Sequence, residues 1–452
     1  MSNDHSGDHA GARSPAQSVA ALTERFESLD RVAEADAWAT AAYRLGMATA
    51  EQPTAHPETG LRSALDLYRQ AAEVFTANRA PVEHARVLNA AGSAHRMLGD
   101  ISTAARLFRE ALSLLADRNV ESEEASVWNN LGLVLSEGGR FDDSIAAFSR
   151  SLGLVDGATE EDIRTQLATQ HNLGQAHMAS GGLDGLTAAV AVLRDASAMA
   201  RQSTESTMHT GLIDHSLGVA LKALATLDAA ATDAHIDDAV QAFERSLTIF
   251  TSVGFPMHHA IAKHNLGHAL AVRSDVESKQ RALAYYEDAL NLFDPRIHQA
   301  HWSEAFQNAE KVEAQLSALV PGSTRADHIA SLAGGMGDDE RLMFLRQRFV
   351  QLERVPDEHR RERMTAFAYA VINQPAASFV ATLQTMIAVL MELPDALLES
   401  ALHAQLRAHG MLDPHDQRAA DFILDEAINA KLFGPQRIRV RDILEEIGWD
   451  RP

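Results

Sequence analysis

The sequence contains no cysteine, an absence that removes disulfides, zinc–thiolate sites, iron–sulfur clusters and thiol nucleophiles together. A reducing cytoplasm is the expected compartment. Proline is scarce, at 13 of 452 residues, and aromatic side chains make up 6%. With 46% hydrophobic and 23% charged residues, the chain is neither collagen-like nor disordered but composed as a folded, soluble protein. Basic residues are in deficit, 40 against 62 acidic, and most of the net charge of −22 lies before Pro321. A surface of that sign repels phosphate backbones and anionic lipid, so neither nucleic acid nor a membrane is an expected partner. Long apolar runs are also missing. The longest, Phe379 to Leu393, is interrupted by Thr382, Gln384, Thr385 and Glu392 and falls short of the roughly 20 residues a spanning helix needs. The first 16 residues are small and polar with no apolar centre, so residues 1–20 are expected to be a disordered tail and not a signal peptide.

What the chain does contain is a repeat. A helical stretch carrying Leu-Gly, a turn, and then Ala, an aromatic and Ala-Leu at helical spacing recur along the sequence. The clearest copies start at Asn89 (Gly92, Gly99, Ala104, Phe108, Ala111, Leu112) and at Asn129 (Leu131, Gly132, Gly139, Phe141, Phe148, Leu152). Three more centre on Gly174, Gly218 and Gly267, with Ala189 and Leu193, Ala239 and Phe243, and Ala282 and Tyr286 on their second helices. A degenerate first copy places Trp38 and Leu45 on one helix and Ala64, Tyr68 and Ala71 on the next, making six helix pairs. Gly or Ala lets the helices of a pair approach closely, while the aromatic and Leu fill the gap to the next pair. Trp302, Ala305, Phe306 and Ala309, followed by Glu310, Lys311 and Glu313, read as a final unpaired capping helix with a polar outer face.

This pattern resembles the tetratricopeptide repeat (TPR) family over roughly residues 30–318. The Asn-Leu-Gly triplets at Asn130, Asn172 and Asn265 are similar to the long-repeat branch seen in kinesin light chains and LGN-type scaffolds. The stretch Thr248 to Leu270 is similar to repeats that accompany CHAT protease domains, although a chain without Cys cannot supply that protease's His/Cys dyad. The resemblance implies an all-α fold, a right-handed superhelix of about six helix pairs plus a cap. In such proteins the first helices line a concave groove, with the fifth, ninth and twelfth positions facing the ligand.

Numbered so that each repeat glycine is eighth, the fifth position reads Asn89, Asn129, His171, His215 and His264, and the sixth includes Asn130, Asn172 and Asn265. Asn and His each offer a donor and an acceptor, so a ladder of them suits an extended peptide backbone. The competing reading is that the sixth-position Asn residues bond a neighbouring helix, because half-buried polar groups must be satisfied somewhere. Arg96 and Lys222, at position twelve, suit an acidic side chain or terminal carboxylate, although the two-carboxylate clamp of co-chaperone TPRs is not reproduced. His264 and His268, four apart on one helix, have the spacing of two metal ligands, with His215, His298 or His301 as a third; packing or groove hydrogen bonding is the competing reading. His95 and His177 stand where the family has a core Tyr. If the groove histidines are exposed, acidification through about pH 6.5 charges them.

The run Val320 to Glu340, rich in Pro, Gly, Ser and Asp, ends the repeats, and residues 320–337 are expected to be a linker. Beyond it, Asp338–Leu352, Asp357–Ile372, Ala376–Leu393, Asp395–His409 and Pro414–Leu432 read as helices of a small bundle over residues 338–452, with the helix of Phe379, Leu383, Met386, Ile387 and Leu390 at its centre. Arg437, Arg439 and Arg441 alternate with Ile438 and Val440 ahead of a short last helix, a basic arm or an ordinary solvated edge. No G-x-x-x-x-G-K-[ST], H-E-x-x-H or G-x-S-x-G motif is present, and Gly334, Gly335 and Gly337 follow no strand. The expectation is therefore a non-enzymatic scaffold or adaptor in the cytoplasm, without cofactor, that takes a basic or neutral partner segment in the groove formed by residues 21–319. The alternatives are a metal-handling accessory that uses the His-rich fourth and fifth repeats, or a structural subunit of a larger enzyme complex.

Overall fold

The computed structural model describes residues 15–52, 57–155, 157, 159–202, 208–294, 296–352 and 357–449. Among these residues there are 21 helices and no strand. Helix α1 (Pro15–Glu27) leads into consecutive pairs: α2 (Ala35–Ala50) with α3 (Pro57–Val74), α4 (Pro81–Met97) with α5 (Ile101–Leu115), α6 (Glu121–Glu137) with α7 (Phe141–Leu152), and α8 (Glu160–Ser180) with α9 (Gly182–Ala200). Then come α10 (Met208–Leu227), α11 (Thr232–Ile249), α12 (Pro256–Leu270), α13 (Val276–Leu292) and α14 (Gln299–Leu319). The last third holds α15 (Arg325–Gly335), α16 (Asp338–Leu352), α17 (Asp357–Ile372), α18 (Ala376–Leu390), α19 (Asp395–His409), α20 (Pro414–Lys431) and α21 (Gly434–Glu446). The chain divides into two compact units, one ending at His209 and the other beginning at Thr210. No described helix is long and apolar enough to cross a membrane.

One contact recurs in every pair. A Cβ placed on Gly46, Gly92, Gly132 or Gly218 would stand 2.6–2.7 Å from the ring of Tyr68, Phe108, Phe148 or Phe243, and on Gly267 3.1 Å from Tyr286. In the fourth pair Leu193 replaces the aromatic, 2.5 Å from the Gly174 position. The ring comes this close to the first helix only because that helix has no side chain there. The rings are lost to solvent entirely or nearly so: Phe108, Phe148 and Phe243 are 0% exposed. The turns between the helices follow the same economy. Gly99 and Gly139 sit at φ 80° and 72°, ending α4 and α6 in a left-handed conformation that other residues resist, and Asp100 caps α5 by accepting from the Thr103 amide.

Helix α14 buries Ala305, Ala309, Val312 and Leu316. Its eighth position is Glu310, not glycine, so it has no ring to receive and stays outside the paired pattern.

The amino-terminal expectation needs correction. Residues 15–20 belong to α1, whose Phe26 ring packs 5.1 Å from Trp38, and residues 1–14 lie outside the described residues. The linker expected over 320–337 is also mostly helix. Thr324 and Asp327 close a capping box, and the apolar face of Ile329, Ala330, Leu332 and Ala333 is buried as α15 before the glycine run ends it.

The helices α15–α21 share one core around α18, where Phe379, Leu383, Met386, Ile387 and Leu390 meet Leu345, Leu398, Leu424 and Trp449. Helix α18 stops at Leu390, three residues before the expected end, because Pro394 forces a turn ahead of it. The basic arm is also not an arm. Pro435 starts α21 early, so Arg437, Arg439 and Arg441 ride on the helix. Arg439 pairs with Asp395, and Arg441 with Asp425 at 2.7 Å and Asn429 at 2.8 Å, all inside the same bundle.

The close approach makes a prediction. Gly132→Ala should destabilise the chain by about 1–2 kcal/mol, overpacking against a buried ring outweighing the better helix propensity of Ala. Gly138→Ala, whose Cβ meets only ordinary contacts at 3.4–3.6 Å, should change stability by less than about 0.5 kcal/mol. Urea unfolding of the full chain compares the two, and equal effects would contradict the packing argument.

Candidate functional site

The first helices of the pairs carry the polar ladder expected from the sequence, but its rungs point along the stack. In the first unit Asn130 Nδ2 donates to Asn89 Oδ1 at 2.9 Å, and Asn172 Nδ2 donates to Asn129 Oδ1 at 2.9 Å. In the second unit Asn265 Nδ2 lies 3.3 Å from His215 Nε2, and Asn308 Nδ2 lies 3.2 Å from His264 Nε2. Each rung joins the fifth position of one helix to the sixth position of the next first helix. The acceptors expected to meet a peptide backbone are thus engaged between helices, and the neighbouring-helix reading of Asn130, Asn172 and Asn265 describes the geometry. Asn308 extends the ladder into α14 and was not foreseen. Its signal was available: partner separations of 41, 43, 50 and 44 residues follow the repeat spacing rung by rung.

The histidine rungs are built into the glycine contact. His215 packs 5.5 Å from the Phe243 ring, and His264 5.5 Å from the Tyr286 ring, the same rings that receive Gly218 and Gly267. Burial there, aided by the Lys222 ammonium, pushes both imidazoles down to about 4. For His264 a carboxylate at Glu304 opposes the shift, while His268 and His301 add to it. His171 is buried too, 3.2 Å from Gln175 Nε2 and 5.6 Å from the His209 ring. None of the three is therefore exposed, and His215 and His264 resist charging at about pH 6.5. His95 is half-buried beside Asp100, and His177 is half-buried with its pKa lowered by burial.

The position-twelve cations part company. Arg96 reaches Glu137 at 2.6 Å, so its guanidinium already holds a carboxylate from the next first helix. Lys222 is different. Its half-buried ammonium donates to Asn265 Oδ1 at 2.9 Å, which also fixes the amide orientation that lets Asn265 Nδ2 face His215. No carboxylate pairs with it among the described residues, and burial lowers its pKa while Glu304 acts in the opposite direction. His268 is exposed on the same face.

The metal alternative finds no ligand set. Around His264 and His268 no third histidine or carboxylate comes within ligand range among the described residues. Asn308 already faces His264 Nε2. Asp413, His415 and Asp416 do cluster, but at an exposed helix start where the Asp413 carboxylate accepts from the other two backbone amides.

The tetratricopeptide repeat family matches residues 125–154, which are α6, α7 and their turn. A search of the curated proteins finds no match. Among solved structures, BtubC (BKLC) from P. vanneervenii is 18% identical with a TM-score of 0.41, over 52% of this chain and 92% of that one. A putative kinesin light chain of nearly identical TPR-like repeats from Podosopora anserina is 14% identical with a TM-score of 0.38, over 48% and 96%. A Rap protein complexed with competence and sporulation factor is 12% identical with a TM-score of 0.41, over 66% and 80%.

Two outcomes test the ladder. In a double-mutant cycle, Asn89→Ala and Asn130→Ala should couple by about 0.5–1.5 kcal/mol, since either alone strands a half-buried amide; purely additive losses would refute the rung. The second concerns acid. The unfolded chain protonates His264 near its ordinary 6.5 while the folded chain resists, so stability is complete above that value and falls as pH drops toward 4. At pH 5 the loss from His264 is about 2 kcal/mol. His264→Asn should flatten that slope in urea titrations, and an unchanged slope would place the proton elsewhere. Residues 125–154 match a tetratricopeptide repeat, and the same helix pairing with a glycine-to-side-chain contact recurs in the other five pairs.

Proposed function

We propose that this protein is a non-enzymatic binding scaffold of the cytoplasm, whose first-helix face in the second unit holds a segment of a partner protein. Repeats of this class mediate protein–protein interactions, and a Rap protein, similar in fold, was crystallised with a factor bound. The observation that carries the reading is Lys222. A half-buried ammonium with a neutral amide as its acceptor is a cation held ready for an anion, because desolvating a charge without a counter-charge is unfavourable unless something returns. An acidic side chain or terminal carboxylate of the partner supplies it, with exposed His268 alongside. The rest of the partner segment is neutral or basic, as the net charge of −22 favours. The ladder rungs hold the helices in register and contribute little to recognition directly.

Affinity capture from lysate of the source cell tests this with two variants. Lys222→Met with His268→Ala removes the cation while keeping the aliphatic stem, and should lower retention of the partner by about tenfold. Arg96→Met alters a cation already paired with Glu137 and should leave retention unchanged. The same partner retained equally by the wild type and the Lys222 variant would overturn the proposal.

A further inference from the structure

The second unit contains a cavity of about 410 Å³ between the last repeat helices and the first helices of the bundle, with walls from α13, α14, α15, α16 and α17. Protein interiors seldom leave a void much larger than a water, and this one has the size of a small-molecule site. Its floor is apolar. Leu345 is fully buried, and Ile329, Phe349 and Met364 are each 3% exposed.

The rim is charged. Arg325, Arg348 and Arg363 face Glu287 and Glu313, an excess of one positive charge on a chain that is otherwise strongly acidic. The two glutamates are already occupied. Arg348 pairs with Glu287, and Arg325 bonds Glu313 through Nε at 3.0 Å and stands 3.6 Å from Glu287. Arg348 is held further by Asp288 at 3.6 Å, itself 3.3 Å from the buried Lys263 ammonium. These pairs make the wall rigid and use up its carboxylates. Arg363 is the exception: its Nη1 donates to the neutral Asn291 Oδ1 at 3.0 Å, and no carboxylate pairs with it among the described residues.

We propose that this cavity binds a small amphiphilic carboxylate, its hydrocarbon body on the floor of Leu345, Phe349 and Met364 and its anionic head at Arg363. An apolar interior with a single surplus cation at the mouth fits that class and disfavours a cation of the same length, which would meet the arginines without a free counter-charge. Because the walls come from both the last repeat and the bundle, an occupant also ties α17 to α13.

Isothermal titration of the full chain with decanoate, and with decylammonium as the length-matched cation, reads the site directly. Saturable binding of decanoate to one site per chain is expected, with decylammonium weaker by about tenfold or more. Arg363→Glu, a change at an exposed position, should weaken decanoate by a similar factor. Ala366→Trp, from an exposed lining residue, should block the cavity and abolish binding, with circular dichroism checking that both variants fold. Absence of saturable decanoate binding, equal affinity for the cation, or a folded Arg363→Glu variant that binds like the wild type would each overturn the proposal.

Discussion

The fold depends on one steric fact, that two helices come close enough for a ring to lie on backbone. At Gly92, Gly132 and Gly218 a single added carbon would fall inside the contact distance of a fully buried phenylalanine. Everything local follows from that approach. It sets the spacing within a pair, buries the ring that the next pair packs against, and in the second unit provides the aromatic surface on which His215 and His264 rest. The low histidine pKa values are therefore a consequence of the helix packing. An imidazole confined beside a ring and a half-buried ammonium keeps its neutral form.

Between pairs a second, polar device takes over. Amide-to-amide rungs in the first unit and amide-to-imidazole rungs in the second join successive first helices at one repeated place. Each rung is worth little alone, but a repeat protein is stabilised by nearest-neighbour interfaces, and four rungs, two in each unit, add at the interfaces they span. The ion pair of Arg96 and Glu137 adds to the same interface as the rung between Asn89 and Asn130.

Much of the fold was legible in the sequence because its constraints are short-range. A glycine on one helix and an aromatic on the next, Gly132 with Phe148 or Gly218 with Phe243, recur from pair to pair, and the prolines at 375, 394 and 414 mark where bundle helices begin. The bounds of α16, α17 and α19 needed nothing else. What was not legible depends on neighbours distant in sequence. Asn130 as a residue is equally suited to a peptide or to Asn89, and only the packing of α4 on α6 decides. Arg439 and Arg441 look like a free basic strip until α21 is placed against Asp395 and Asp425. The run after Val320 was misread for a different reason. Its Pro and Gly signal a break, but the capping box of Thr324 and Asp327 between them starts a helix, and the apolar face of that helix is what the bundle buries.

The central claim is that the ladder couples neighbouring helices as a structural unit. Hydrogen exchange on the full chain carrying Asn130→Ala measures this most directly, since the rung should slow opening on both sides of the interface. The account predicts faster amide exchange in α4 as well as α6, with the second unit unchanged. Faster exchange in α6 alone, or none in either helix, would contradict it and return the asparagines to the role of ligand contacts.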